Sequence, residues 1–213
     1  MAKEKYKYEK IYQGKGEFKR IYQLDGSGKK REMYGHNNHG KQYFKFILRK
    51  VKPTSVVDIG CGYNEFCEML KEKGIESVGV DFACPGADIM ASAENLPFRD
   101  GQFDLLTAFD VLEHIPEEEI DTSLKEFERI AHRFMYKICL RKDFKKIDGE
   151  TLHPTVRFPE WWIDKITKNG GHIGQIIYSN KKGIMPKCRA KILTVYGFFH
   201  VKPPPPKSKS YYD

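Results

Sequence analysis

Apolar positions along this chain fall into two kinds of run. Val56-Val57-Asp58-Ile59 is nearly continuous in β-branched residues and breaks into Gly60-Cys61-Gly62, the pattern of a strand buried on both faces in a parallel sheet. Runs of the same kind end at Asp81 and Asp110, and others cover 132–140, 173–178 and 191–199. Between them the spacing changes to that of an amphipathic helix. Tyr43, Phe44, Ile47 and Leu48 predict a helix over 41–50 that stops before Pro53, and further helices are predicted over 65–73, 117–131 and 160–169. Pro116 opens the third of these with Glu117, Glu118 and Glu119 in its first turn, which complements the helix dipole. Strands alternating with helices predict an α/β fold around a mostly parallel sheet.

The flanks have a different texture. Residues 1–37 are rich in lysine and tyrosine and are punctuated by glycine, which predicts an appendage: a short docking helix presenting Tyr8, Ile11 and Tyr12 on one face, then a loop from Tyr22 to Met33. A single domain is expected over 38–200, followed by a tail, 201–213, in which Pro203 to Pro206 impose extended polyproline backbone. At 213 residues the chain can bury a sizeable core without disulfides, and its five cysteines contain no Cys-x-x-Cys pair, which argues for a reducing compartment. With no apolar stretch of membrane-spanning length and no signal-peptide core, a soluble, cytoplasmic protein is expected. The formal net charge of +8 admits a polyanionic partner, nucleic acid included, or plain solubility. His36 and His39 lie close together, but no carboxylate or cysteine joins them at ligand spacing, so no metal site is expected there.

The chemistry concentrates in the glycine turn and in the strand ends after it. Glycines at the carboxyl end of a buried strand let a ligand approach the backbone, while Glu65, where a dinucleotide fingerprint needs a third glycine, would repel a pyrophosphate. Some twenty residues on, Asp81 ends a second apolar run at the place where such folds put an acid on ribose hydroxyls. Asp58-Ile59-Gly60-Cys61-Gly62, Asp81, Ala93-Glu94-Asn95-Leu96-Pro97-Phe98 and Phe103-Asp104 through Val111-Leu112-Glu113-His114-Ile115 together resemble, in order and spacing, the class I S-adenosyl-L-methionine (SAM) dependent methyltransferases of the small-molecule "type 11" branch. The resemblance covers roughly 38–140 and adds a third strand before Ala91. It implies a Rossmann-like, doubly wound, seven-stranded mostly parallel sheet with helices on both faces.

It further implies SAM as cofactor, held by Asp58, Gly60, Cys61, Gly62, Asp81, Phe82, Ser92, Ala93 and Asp110. Backbone amides around Gly60 and Gly62 are expected on its methionine part and Asp81 on its ribose. Two positions depart from the family pattern: Asn64 replaces a glycine, and Ser92 stands where an acid usually receives the adenine amino group, so the contact loses its charge. Candidate catalytic groups are His153, Asp110 and His114, histidine being suited to take an acceptor's proton near neutral pH. His153 lies in a loop with Arg157, suited to an anionic acceptor, and with Trp161 and Trp162, one expected to pack the next helix and the other to wall the acceptor pocket.

The expected reaction is methyl transfer to a small or nucleotide-linked acceptor. A nucleic-acid methyltransferase, of RNA in particular, and a SAM-binding fold without transfer are the alternatives. Asp110-Val111-Leu112-Glu113 lacks the tetrapeptide of exocyclic-amine enzymes, no cysteine nucleophile follows the fourth strand, and no glutamate follows Glu160. Three nucleic-acid chemistries are thereby disfavoured, while ring-nitrogen methylation stays open.

Overall fold

A computed structural model describes residues 2–12, 22–24, 30–32, 39–142, 146–147, 149–180, 183–184 and 191–199. In chain order its elements begin with α1 (Ala2–Tyr12), β1 (Tyr22–Leu24) and β2 (Lys30–Glu32). A helical run comes next, made of a 3₁₀ turn (His39–Tyr43), α2 (Phe44–Phe46) and a π turn (Ile47–Val51). The body comprises β3 (Ser55–Ile59), α3 (Glu65–Lys71), β4 (Glu76–Asp81), β5 (Ile89–Met90), β6 (Phe103–Phe109), α4 (Glu117–Ile130) and β7 (Ala131–Cys139). It ends with β8 (Lys146–Ile147), β9 (Glu150–Thr151), α5 (Pro159–Lys168), β10 (His172–Asn180), β11 (Gly183–Ile184) and β12 (Ile192–Phe198).

The main sheet runs β11-β10-β12-β7-β6-β3-β4-β5. Strands β5, β4, β3, β6 and β7 pair in parallel, and β12 inserts antiparallel between β7 and β10. The seven expected strands are all present, and two-residue β11 extends the β10 edge. The chain therefore reverses its direction of winding at β3, with β4 on one side and β6 on the other. In such a sheet the crevice beyond the strand carboxyl ends at that reversal receives ligands.

The two-residue period of β3 divides the core. Val57 and Ile59 join Ile120, Leu124 and Phe127 of α4 and Trp162 and Ile166 of α5 on one face. Val56 joins Ile47 and Val51 of the helical run and Phe66 and Leu70 of α3 on the other. Each such side chain, when fully buried, stabilises the fold by about 1.5–3 kcal/mol. Two connections lack the helix that a doubly wound sheet normally carries: 82–88 between β4 and β5, and 91–102 between β5 and β6. Pro85, Gly86 and Pro97 interrupt both stretches. The second loop is stitched to α4 instead, because Arg129 donates to the carbonyls of Leu96 and Phe98 and Glu126 accepts from the Leu96 amide.

Several local expectations change. The loop expected over Tyr22 to Met33 contains the β1–β2 hairpin, and β8 pairs with β9 in a stretch expected to be loop. The helix predicted over 41–50 is three short helical types in succession, extended by the π turn to Val51 and closed by Lys52 at φ 49° before Pro53. His36, the tail 201–213 and Lys181, Lys182 and Lys187 lie outside the described residues.

Candidate active site

Gly60 and Gly62 adopt φ of 69° and 55°, left-handed values that glycine reaches without penalty. A Cβ on Gly60 would also clash with the Val111 side chain, so the turn is pressed against the end of β6. Asn64 follows at φ 65° and starts α3, a conformation asparagine tolerates better than most residues. The amides of this turn do not point toward a ligand as the glycine pattern implied. Those of Gly60 and Cys61 both donate to the Val80 carbonyl, at 2.7 and 3.1 Å, and that of Gly62 donates to Asp81 Oδ2 at 3.2 Å. The N–H groups tie β3 to β4, so a ligand here meets carbonyls and bare backbone. Cys61 is a half-buried thiol whose pKa burial and neighbouring acids push far up, which makes it inert.

Two acids sit beneath the turn. Asp58 is buried and accepts from Thr107 Oγ1 at 2.6 Å; burial, with the Asp81 charge adding to it, outweighs that bond and pushes its pKa up to about 7. Asp81 is also buried, but its oxygens are well supplied. Oδ1 accepts from the amides of Ala83 and Cys84 at 2.9 Å each, and Oδ2 accepts from Gly62 and, at 3.4 Å, from the Tyr12 hydroxyl. Phe82, next along, packs edge-on against Tyr8. Ser92 and Ala93 are half-buried beyond β5, where the Ala91 amide donates to the Asp81 carbonyl and Ser92 bridges to Asn95.

The ends of β6 and β7 carry the second group. Asp110 has φ 56°, a strained value outside glycine, and its carboxylate is paired with Lys137 of β7. Glu113 and His114 lie in a 3₁₀ turn (Leu112–His114). Glu113 is fully buried: Oε1 accepts from the Cys139 amide at 3.1 Å, while Oε2 has no hydrogen-bond partner. Burial first, and the Asp110 charge second, hold this carboxyl far above the ordinary range. The ring of His114 stands 4.5 Å from that of His153, nearly perpendicular to it. Thr155 fastens the loop bearing His153 to this turn, its hydroxyl donating to the Ile115 carbonyl at 2.6 Å and its amide to the Glu113 carbonyl at 3.2 Å. The loop bearing His153 is thus brought from a distant part of the chain to the turn that carries Asp110 and His114, and Glu113 joins them. Sequence reasoning missed Glu113, although a glutamate inside the apolar stretch Val111-Leu112-Glu113-His114-Ile115 is itself a signal that a carboxylate is being buried.

Helix α1 touches both groups. Tyr8 and Ile11 are buried with Ala83 and Leu152, Tyr8's hydroxyl lies 2.5 Å from His114 Nδ1, and Lys7 pairs with Glu150. The two tryptophans expected in the loop with His153 lie in the first turn of α5 and have different surroundings. Trp162 is wholly in the core, whereas Trp161 lies beneath the cations of Arg157 and Lys165. Arg157 is half exposed and paired with Glu117 of α4, which occupies the charge that was expected to meet an acceptor.

The strand order and the glycine turn at the point of reversal define a Rossmann-like domain. Residues 57–133 match the family described as a methyltransferase domain. The chain is 30% identical over 98 residues to norajmaline N-methyltransferase of Rauvolfia serpentina, covering 38% of this chain and 33% of that protein. It is 32% identical over 115 residues to the ubiquinone/menaquinone biosynthesis C-methyltransferase of Rickettsia bellii, covering 54% and 42%. The chain spans between 33% and 61% of the length of the curated relatives it matches. Among solved structures, an S-adenosylmethionine-dependent methyltransferase from Clostridium acetobutylicum superposes with a TM-score of 0.61 over 75% of this chain and 91% of that one, at 14% identity. Among the described residues, no helix is long and apolar enough to cross a membrane.

Proposed function

We propose that this chain binds SAM across the ends of β3, β4 and β5 and passes its methyl group to a small or nucleotide-linked acceptor held at the ends of β6 and β7. The observation that carries this reading is α1, one short helix that contacts Asp81 and Phe82 on one side and His114 on the other. The two groups are therefore walls of one space. The names of the two relatives, one an N- and one a C-methyltransferase, leave the acceptor atom open.

The donor set fits SAM, which supplies a methyl carbon already activated by its sulfonium. Asp81 Oδ2 is the ribose acceptor, with the Tyr12 hydroxyl in the place a ribose hydroxyl would take. The carbonyls and open backbone of the Gly60–Gly62 turn, and Asp58 beneath it, suit a cationic ammonium. Phe82, Ser92 and Ala93 line the adenine side, where a serine hydroxyl replaces the usual acid. Asp110 shapes the boundary between the halves. On the acceptor side, His114 and His153 bring imidazole lone pairs to the acceptor atom, which attacks the methyl carbon while the carbon–sulfur bond breaks. A positioned base of this kind contributes about 10²–10⁴-fold. Helix α1 belongs functionally to the site rather than to a separate module.

The test has two stages. Calorimetric titration with SAM and with its demethylated product asks for binding, and its absence sinks the whole reading. Transfer of a labelled methyl group is then measured over amines, phenols, nucleotide-linked sugars and RNA. Labelling of RNA alone, with a steep salt dependence, would replace the small acceptor by a polyanion.

A further inference from the structure

Glu113, His114 and His153 each offer one ligand atom, and the three atoms lie within 4.8 Å of one another. Three details set this cluster apart from a chance meeting of polar side chains. Glu113 is 0% exposed and its Oε2 has no partner. Buried carboxylate oxygens without a hydrogen bond are costly and rare, and a bound ion is one of the few things that accounts for them. Next, both imidazoles are oriented through Nδ1. His114 Nδ1 lies 2.8 Å from the Leu152 carbonyl, with the Tyr8 oxygen sharing the same N–H, and His153 Nδ1 lies 2.8 Å from the Arg141 carbonyl. A carbonyl can only accept, so Nδ1 carries the proton in both rings and the lone pair sits on Nε2. Backbone carbonyls on one ring nitrogen are the usual companions of a metal on the other. Finally, the supporting segments are themselves fixed, since Thr155 bonds to Ile115 and to Glu113.

We propose that Glu113, His114 and His153 form a binding site for a divalent first-row transition ion, zinc foremost. Two imidazoles and one carboxylate suit such an ion and not magnesium or calcium, which require mostly oxygen ligands. Three protein ligands leave a fourth position open, as in catalytic rather than structural sites. Ligand atoms around tetrahedral zinc stand roughly 3.4 Å apart, so closing on the ion asks the cluster to contract. The inference deepens the transferase reading and, for its role, rests on it: with the imidazole lone pairs engaged as ligands, an ion would take the place of the histidine base, holding an acceptor hydroxyl and lowering its pKa so that the proton passes to solvent, after which the oxygen would attack the methyl carbon as the carbon–sulfur bond breaks. The substrate class narrows accordingly to acceptors with a metal-binding oxygen.

Binding is tested on the full chain, stripped with a chelator and dialysed, by calorimetry with Zn²⁺ and by visible absorption with Co²⁺. One ion per chain is expected, with the intense bands of a low-coordinate cobalt site, and no uptake of Mg²⁺. His153→Ala changes a half-exposed loop residue, and the folded state of the variant is checked by circular dichroism. It should weaken Zn²⁺ binding by at least the roughly 10–100-fold that losing even an outer partner costs, and it should abolish the cobalt bands. Glu113→Gln should act in the same direction, and His172→Ala, on exposed β10, should change nothing. Undiminished Zn²⁺ affinity in His153→Ala, or no Zn²⁺ uptake by the parent chain, overturns the proposal. SAM titration of the stripped protein is read separately: SAM binding without metal leaves the transferase reading standing, and metal binding without SAM does the reverse.

Discussion

Two buried acids, Asp81 at the end of β4 and Glu113 at the end of β6, show how differently the two halves of this site are built. Asp81 accepts from three backbone amides and a tyrosine hydroxyl, so its charge is solvated by the chain itself. Glu113 has a single amide on one oxygen and nothing on the other. The first arrangement holds a carboxylate rigid, ready to exchange one hydrogen bond for another. The second keeps a carboxyl unsettled until something enters. A half-site that recognises one invariant molecule can be finished in advance, whereas a half-site that acts on an acceptor leaves its groups poised.

The contrast can be broken most directly at Asp81. Asp81→Ala should cost on the order of 1.5–3 kcal/mol of SAM affinity for each charge-assisted bond lost, measured by calorimetry; an unchanged affinity would remove Asp81 from the site. Thr155→Val probes the other half. Losing the buried bond to Ile115 and stranding its carbonyl should lower stability by about 1–3 kcal/mol, read as a shifted thermal midpoint. SAM affinity should stay as it was, because the loop it holds belongs to the acceptor side.

Asp58 sharpens the comparison through pH. Its pKa of about 7 in the folded protein stands above the ordinary 3.8, so its contribution to stability is complete below about pH 4 and is lost as pH rises through 7. Across that window the slope should reach at most about 1.4 kcal/mol per pH unit, and Asp58→Asn should flatten it. A cation bound above Asp58 favours its charged form, so SAM binding near pH 6.5 should release protons, detectable by titration in buffers of different ionisation enthalpy. The smallest effect is expected from Tyr12→Phe. Removing a long hydrogen bond from Asp81 frees that oxygen for a ribose, which should alter SAM affinity by about 0.5–1 kcal/mol, toward tighter binding.

The halves also differ in how far they could be read from the chain. Asp58, Gly60, Gly62 and Asp81 are coupled by short-range backbone requirements, a strand end, a left-handed turn and an acid on the next strand, and all of these leave marks within 24 residues. Even there the direction of the amides was hidden, since it depends on the sign of φ at each glycine. The proposed acceptor side is assembled from distant segments. Nothing local to Arg157 announces that Glu117, 40 residues earlier, will pair with it, and nothing local to Glu113 says that its carboxylate will meet the imidazole of His153. The long strands were legible because buried β-branched runs have no other outlet. Hairpins of two or three residues, such as β8–β9, owe their existence to backbone pairing that any composition permits.

Helix α1 lies across the boundary between these halves with Lys7, Tyr8 and Ile11 buried. At 11 residues it is below the length at which a helix holds together in water by itself, about 12–15 residues. Its order is therefore borrowed from the surface it covers. Lifting it is closer to melting than to swinging on a hinge, and each closure has to renucleate the helix on its bed of Phe82, Ala83 and Leu152. For any molecule that had to pass α1 to leave, release would be tied to the local unfolding equilibrium of one short peptide, and should quicken steeply with temperature and denaturant well before the sheet itself gives way.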